Sequence, residues 1–248
     1  YRQLYPHKPY GKLVQKLRLK PTRSASGVAP VTVLTKPYPC PENCLFCPND
    51  LRMPKSYLAE EPGAQRAEKN FFDPYLQVMS RLTALADMGH QTDKVELIVL
   101  GGTWTNYPEN YRLWFIEQCF KALNDFGNKD RTNTIRRRYE LAIKKLDQPF
   151  MSSEAQENLT LLKKLDLDEE QVRAQYNQLI TKHYLLPEKK AGISDWQNSN
   201  WQKLAIAQKI NETASSRCVG LVLETRPDEI TQHSAIDLRR LGATKIQL

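Results

Sequence analysis

The chain has 248 residues, of which 40% are hydrophobic and 26% are charged, and these fractions are typical of a soluble protein with one or two domains. No apolar run approaches the roughly 20 residues of a membrane span, and the basic first residues lack the apolar segment of a signal peptide. Three of the five cysteines crowd into one short stretch, which disfavours a secreted disulfide framework and favours a reducing, cytoplasmic setting. Because the sequence begins with Tyr1 and ends where a strand has barely begun, we expect an excerpt cut at both ends.

The net charge of +8 at pH 7 comes entirely from the first 36 residues. This stretch contains eight Lys and Arg residues and no Asp or Glu, and the rest of the chain is balanced. A basic arm of this kind is typical of proteins that bind a polyanion such as nucleic acid, although a solvated, partly disordered tail is the alternative. We assign residues 1–30 to a basic N-terminal arm.

Short apolar strands alternate with amphipathic helices along the rest of the chain. Strands are predicted at 31–35, 94–100 and 218–223, with a fourth beginning in 243–248, and helices at 72–88, 108–126 and about 229–241. Asp73-Pro74 suits the start of the first helix, and Cys119 lies on the second among apolar residues, as a plain core thiol. Residues 127–200 are polar and carry a basic group at Arg136–Arg138, and they are predicted to form a helical insertion.

The alternation of strands and helices predicts parallel β/α units and an α/β fold. In such folds the chemistry lies on loops at the carboxyl ends of the strands. Three unusual loops directly follow predicted strands: the cysteine loop, Gly101-Gly102-Thr103, and Glu224-Thr225-Arg226-Pro227-Asp228. We therefore expect these three loops to meet at one edge of the sheet.

The cysteine loop has the form Cys40-x3-Cys44-x2-Cys47. Three thiolates in one short loop can hold three corners of a 4Fe–4S cluster and leave the fourth iron open, whereas most ferredoxins use four cysteines. An open iron can bind S-adenosylmethionine through its amino and carboxylate groups, and an electron from the cluster then cleaves it to a radical. The alternatives are three unliganded thiols or a structural zinc site, which needs a distant fourth ligand such as Cys218 or His90.

The remaining candidate residues surround this cluster. Phe46 is suited to pack against the adenine, and Gly101, Gly102 and Thr103 form a turn in which the backbone can approach a ligand. Beside a cysteine triad, this turn looks like the glycine-rich loop that receives the methionine amino group. Three charged side chains are candidates to bind the ribose, the carboxylate or a phosphate, or else to form a salt-bridged rim: Glu224, Arg226 and Asp228.

Several stretches together resemble the catalytic subunit of the Elongator complex and its single-chain bacterial and archaeal relatives. They are RSASGVAPVTVLTKPYPCPENCLFCPND, EPGAQRA, FFDPY, MGHQTDKVELIVLGGTW and RCVGLVLETRPDEI, within residues 20–126 and 214–248. The resemblance implies a partial, truncated radical-SAM (β/α) barrel of parallel strands over residues 31–248, with the helical insertion at 127–200. It also implies that the C-terminal acetyltransferase-like domain of this family is absent from this chain.

The resemblance further implies an enzyme that modifies C5 of the wobble uridine, U34, in tRNA. S-adenosylmethionine would supply a radical that abstracts hydrogen from the methyl group of acetyl-CoA, and the carbon radical would add to the uracil. Cys40, Cys44 and Cys47 fall on the cluster ligands, and Lys94, the one predicted catalytic residue, falls on the position for acetyl-CoA contact. The implied partners are tRNA, bound at its anticodon region, acetyl-CoA and a reductant, and a homo-oligomer is left open. This chain alone is expected to be inactive and marginally stable.

Two other functions stay open from the residues. A different radical S-adenosylmethionine enzyme would share the cysteine triad, and a tRNA-binding module would use a cluster only as a structural element. For tRNA, the basic arm and Arg136–Arg138 are candidates for phosphate contacts, with a solvated helix face as the alternative for the latter. An unstacked base could lie against Tyr38, Tyr57 or Trp104.

Overall fold

Four parallel strands form one sheet in the order β1-β2-β3-β4. A computed structural model describes residues 16, 19–42, 44–48, 50–128, 131–146, 169–186, 189, 192 and 196–248. The strands are β1 (Ala29–Leu34), β2 (Lys94–Leu100), β3 (Arg217–Glu224) and β4 (Lys245–Gln247). All four were predicted, and the parallel arrangement confirms the α/β fold.

Helices connect the strands throughout the described part of the chain. They are α1 (Pro62–Lys69), α2 (Pro74–Asp87), α3 (Glu109–Asp125), α4 (Arg131–Leu146), α5 (Glu169–Ile180), α6 (Trp201–Asn211) and α7 (Gln232–Arg240). Helices α2, α3 and α7 match the predicted ones, α4 and α5 lie in the predicted insertion, and α1 and α6 were not predicted. No described helix is long and apolar enough to cross a membrane.

The start of α2 shows how local sequence sets the fold. Asp73 caps the helix by accepting a hydrogen bond from the Leu76 amide at 3.0 Å, and Pro74 occupies the first turn, where its missing N–H costs nothing. Leu82 and Leu85 on the same helix are fully buried against the sheet. The cap therefore fixes where α2 begins, and its apolar face fixes how the helix packs.

The sheet has one fully buried face. In β2, Val95, Leu97 and Val99 have at most 1% of their surface exposed and share a core with α2, α3 and α6. On the opposite face of β2, Lys94 is exposed and the alternate residues that follow it are half-buried. Parallel sheets normally bury both faces, so the partial exposure of this second face among the described residues is unusual.

Helix α4 is attached to the start of α2 by one arginine. Arg138 donates to both carboxylate oxygens of Asp73 at 3.1 and 3.2 Å, bonds to Gln118, and lies 4.1 Å from the centre of the Tyr75 ring. The basic group Arg136–Arg138 is thus divided by role. Arg138 is bound to Asp73 and Gln118, whereas Arg136 and Arg137 are the exposed members of the group.

Candidate active site at the carboxyl edge of the sheet

The cysteine loop leaves β1 and crosses the carboxyl edge of the sheet. Cys40, Cys44 and Cys47 are partly exposed and form no disulfide. Burial raises the pKa of Cys47, and a hydrogen bond with Ser56 partly offsets this increase. Among the described residues, no three potential ligands converge on a single metal ion.

Each cysteine sulfur has a polar neighbour from a different part of the chain. Arg226 Nη1 donates to Cys44 Sγ at 3.3 Å, and Asn106 Nδ2 donates to Cys40 Sγ at 3.7 Å. The Oγ of Ser56 lies 3.8 Å from the sulfur of the third cysteine. A hydrogen-bond donor beside the sulfur can offset part of the negative charge of a metal-bound thiolate. The chemistry of this set fits a 4Fe–4S cluster, since each thiolate there binds its own iron and the three need not converge on one point.

A zinc site at the cysteine loop would need a fourth ligand, and the two candidates, Cys218 and His90, lie away from this loop. Cys218 is the second residue of β3, at the opposite end of that strand, and its thiol donates to the Gly220 carbonyl at 3.2 Å. His90 precedes β2 and uses both ring nitrogens, with Ser24 Oγ at 2.7 Å and the Leu19 carbonyl at 3.0 Å. Neither candidate lies at the cysteine loop, so the described residues offer this loop no tetrahedral zinc site.

The Gly101-Gly102 turn allows two strand ends to pass each other closely. Gly101 has a φ of 140°, and a Cβ on this residue would lie 1.7 Å from Thr35 Oγ1. Thr35 cannot easily move away, because its hydroxyl shares a 2.7 Å hydrogen bond with the buried Tyr107 hydroxyl. Gly102 has a φ of 85°, and a Cβ on this residue would lie 3.2 Å from the Oγ of Ser56. The first glycine is therefore required by space as well as by backbone conformation.

Glu224, the last residue of β3, binds this turn. Its Oε2 accepts hydrogen bonds from the amides of Gly101 at 3.1 Å and Gly102 at 3.2 Å, and from the Tyr57 hydroxyl at 2.7 Å. Burial raises the pKa of Tyr57, and the charge of Glu224 raises it further, so Tyr57 remains a donor. The structure thus brings the glycine turn and the end of β3 together, as the topology predicted.

Arg226 connects the third loop to the cysteine loop. Besides Cys44, its guanidinium contacts Asp228 through two hydrogen bonds, of 2.9 and 2.5 Å, and lies 3.7 Å from the Glu42 carboxylate. The pair with Arg226 lowers the pKa of Asp228. A salt-bridged rim is therefore present, but it includes a cysteine sulfur, which a purely structural rim does not require.

Comparisons with known proteins found similar sequences over nearly the whole chain. No family model matches the chain. The tRNA uridine(34) acetyltransferase of Methanocaldococcus infernus is 32% identical over 242 residues, and Elongator complex protein 3 of Schizosaccharomyces pombe is 28% identical over 247 residues. Both alignments cover 95% of this chain and 32% of the relative. The chain is similar in sequence to both proteins over almost all of its own length. The predicted resemblance is confirmed, and the chain spans about a third of the length of these relatives.

A solved structure was also found, that of the archaeal Methanocaldococcus infernus Elp3 with a deletion of residues 1–46 at its N-terminus. It is 24% identical, with a TM-score of 0.45, and the match covers 89% of this chain and 28% of that one.

Two predicted site residues stand apart from the others. Lys94, the first residue of β2, is exposed at the amino end of the strand, roughly 20 Å from Gly101 by the length of a seven-residue strand. Phe46 is 95% exposed at the tip of the cysteine loop, beside the exposed Leu45. Thr103, by contrast, is buried at the glycine turn. The described site therefore contains the cysteines, the glycine turn and the end of β3, but not Lys94.

The aromatic candidates for an unstacked base have different surroundings. Trp104 is 2% exposed, and its indole N–H has no hydrogen-bond partner among the described residues. The Tyr57 hydroxyl is hydrogen-bonded to Glu224, and the Tyr38 ring packs against Tyr107 with ring centroids 4.9 Å apart. A buried Trp104 ring cannot stack on an incoming base, so that candidate is excluded in this conformation.

Sequence reasoning missed several residues that support the cysteine loop. Asn106 and Ser56 have no distinguishing pattern, although Asn106 lies only a few residues after the glycine turn. Asn177 on α5 bonds to the backbone of Cys40 from 137 positions along the chain. Nothing in the local sequence could have indicated that contact.

Proposed function

We propose that this chain is the cluster-binding part of a radical S-adenosylmethionine enzyme that modifies C5 of the wobble uridine of tRNA. The observation that carries the proposal is the set of three neighbouring cysteines, each with a polar partner at its sulfur, beside a glycine turn and the carboxylate of Glu224. The names of the relatives, which refer to tRNA uridine(34), support the substrate.

Cys40, Cys44 and Cys47 would hold three irons of a 4Fe–4S cluster through their thiolates. When bound and reduced, this cluster supplies an electron to S-adenosylmethionine at its open iron, which yields the radical that starts the reaction. Arg226 donates to Cys44 Sγ and places a positive charge beside the ligands. This charge would partly offset the negative charge of the thiolates.

The residues around the glycine turn would bind the amino-acid part of S-adenosylmethionine. Glu224 offers a carboxylate to a ligand ammonium, and Tyr57 keeps that carboxylate in place by donating at 2.7 Å. Gly101 and Gly102 let the backbone approach closely because neither has a side chain. Arg226 and Asp228 would contact the ribose or carboxylate, Thr103 would line the turn, and the exposed Phe46 would pack against the adenine.

Contacts with the two other substrates are proposed on the resemblance. Lys94 would contact acetyl-CoA, and its place at the amino edge of the sheet fits a contact with the coenzyme's distant part rather than with the acetyl methyl group. The basic arm and the exposed Arg136 and Arg137 would bind tRNA phosphates, whose affinity depends on salt. A cytoplasmic reductant would supply the electron, and the proposal leaves a homo-oligomer open.

The proposal is tested by the cleavage of S-adenosylmethionine. The full-length protein is reconstituted anaerobically with iron and sulfide, reduced, and assayed for 5′-deoxyadenosine with and without tRNA, with Cys44→Ala as the control. Product that increases with tRNA and is lost in Cys44→Ala supports a radical enzyme acting on tRNA. A well-loaded, reduced protein that makes no product would leave only a tRNA-binding module with a structural cluster.

A further inference from the structure

Helix α5 holds the first cysteine through its backbone. The side-chain amide of Asn177 accepts a hydrogen bond from the Cys40 N–H at 2.9 Å and donates one to the Cys40 carbonyl at 2.6 Å. This paired arrangement resembles the exchange of two hydrogen bonds between facing residues of antiparallel strands. It fixes the peptide units on both sides of Cys40, and therefore the direction in which the Cys40 side chain leaves the backbone.

The preceding residue of α5 holds the other end of the same loop. Tyr176 is fully buried, and its hydroxyl donates to the Met53 carbonyl at 2.9 Å. Lys55 has only 4% of its surface exposed, lies 5.7 Å from the centre of the Tyr176 ring, and donates to the carbonyl of Glu42, between the first two cysteines. The loop is therefore linked to α5 at its first cysteine and again after its third cysteine.

Apolar packing strengthens this connection. Leu51, which follows the third cysteine, forms a small buried cluster with Tyr176 and Ile180 of α5, separate from the main core. The described residues between β1 and α1 contain no helix or strand, and the backbone hydrogen bonds they form with one another are single turns between residues three apart. Its conformation depends on what it contacts, and α5 supplies both hydrogen bonds and apolar contacts.

We propose that Tyr176 and Asn177 are positioning residues for the iron–sulfur cluster, and that the helical insertion serves to hold the cysteine loop in its ligating conformation. This inference rests on the proposed function, since it assumes that the loop binds a cluster. Without the two residues the loop would sample conformations in which the thiolates cannot bind their irons together. The cluster would then assemble less completely and be lost faster.

The test measures cluster retention rather than turnover. The full-length protein and its variants are reconstituted anaerobically, iron and sulfide are counted per chain, and the rate of iron loss to a ferrous chelator is followed. Asn177→Ala is expected to lose iron about tenfold faster than the wild type, because two hydrogen bonds to the loop are removed. Tyr176→Phe, which removes one hydrogen bond and keeps the ring, is expected to lose iron about threefold faster.

The control separates positioning from helix stability. Gln178 is the exposed next residue of α5, and Gln178→Gly lowers the helix propensity of α5 while leaving Tyr176 and Asn177 in place. Its iron-loss rate is expected to stay within twofold of the wild type. Iron loss from Gln178→Gly as fast as from Asn177→Ala would overturn the inference, because helix stability alone would then explain the effect.

Two further results separate this inference from the proposed function. Wild-type iron content and release rate in both Asn177→Ala and Tyr176→Phe would overturn the positioning role, although the cluster itself would stand. A folded wild-type protein that takes up no iron and sulfide would overturn the proposed function, and the inference with it. If Asn177→Ala fails to fold, the iron-loss rate of Tyr176→Phe becomes the deciding measurement. A wild-type rate of iron loss in Tyr176→Phe would then overturn the inference.

Discussion

Replacing Gly101 with alanine should destabilise the protein more than any ordinary surface change. The φ of 140° at this residue costs a side chain about 1–3 kcal/mol. The new Cβ would also lie 1.7 Å from Thr35 Oγ1 and force that hydroxyl out of its hydrogen bond with Tyr107, which adds about 1–3 kcal/mol for buried polar groups left unpaired. We expect a loss of about 4 kcal/mol in the free energy of unfolding.

The assay is urea denaturation followed by far-ultraviolet circular dichroism, with Gly102→Ala as the matched control. Gly102 also has a positive φ, but its Cβ would lie 3.2 Å from the Ser56 hydroxyl, a much milder contact than 1.7 Å, so the expected loss is about 1–2 kcal/mol. Adding Thr35→Ala to Gly101→Ala should recover at least about 1 kcal/mol, because the nearest clashing atom is gone. Equal losses for both glycine variants, or no recovery, would refute the steric explanation.

Three further changes test other parts of the structure. Arg138→Ala should lower the free energy of unfolding by about 2–3 kcal/mol, because the partly buried carboxylate of Asp73 loses its partner. Arg137→Ala, at an exposed position, should change the free energy of unfolding by less than about 0.5 kcal/mol. Equal effects of the two substitutions would contradict a structural role for Arg138. Tyr57→Phe should cost about 1.5 kcal/mol in the same assay, since a hydrogen bond to the charged Glu224 is lost, and an unchanged midpoint would contradict that bond. Burial raises the pKa of Cys218 to about 11, so its alkylation rate, followed by peptide mass spectrometry, should rise about tenfold per pH unit from pH 7 to 10. A rate that levels off near pH 9 would indicate an ordinary thiol.

The strands were predictable because their apolar pattern and flanking residues agree. β2 matches its prediction to the residue, since Asp93 precedes it and Gly101 ends it. β1 begins two residues earlier than predicted, at Ala29, because Ala29 pairs with Val95 of the neighbouring strand. A strand boundary is thus partly set by its partner, which the local sequence does not contain.

The residues that hold the site in place could not be predicted either, because their partners are also distant in the sequence. The cysteine loop, the glycine turn and Glu224 each follow a strand, so parallel topology alone brings them to one edge. Asn177 and Arg138 act on residues far away in the sequence, and polar side chains on a helix look the same whether they face water or a distant backbone. For Lys94 the role came from the family resemblance alone. Its position at the amino end of β2 gives no physical reason for a contact with acetyl-CoA.

The strand order β1-β2-β3-β4 has a consequence for the growing chain during synthesis. Each strand pairs with the one made just before it, so every new strand finds its partner already outside the ribosome. The third strand is delayed, because the more than one hundred residues between Leu100 and Arg217 take about 6–20 s to translate. During that interval the β2 edge that later pairs with β3 is unoccupied, and such edges invite wrong pairing. The nascent chain therefore passes through a period in which aggregation competes with the arrival of β3.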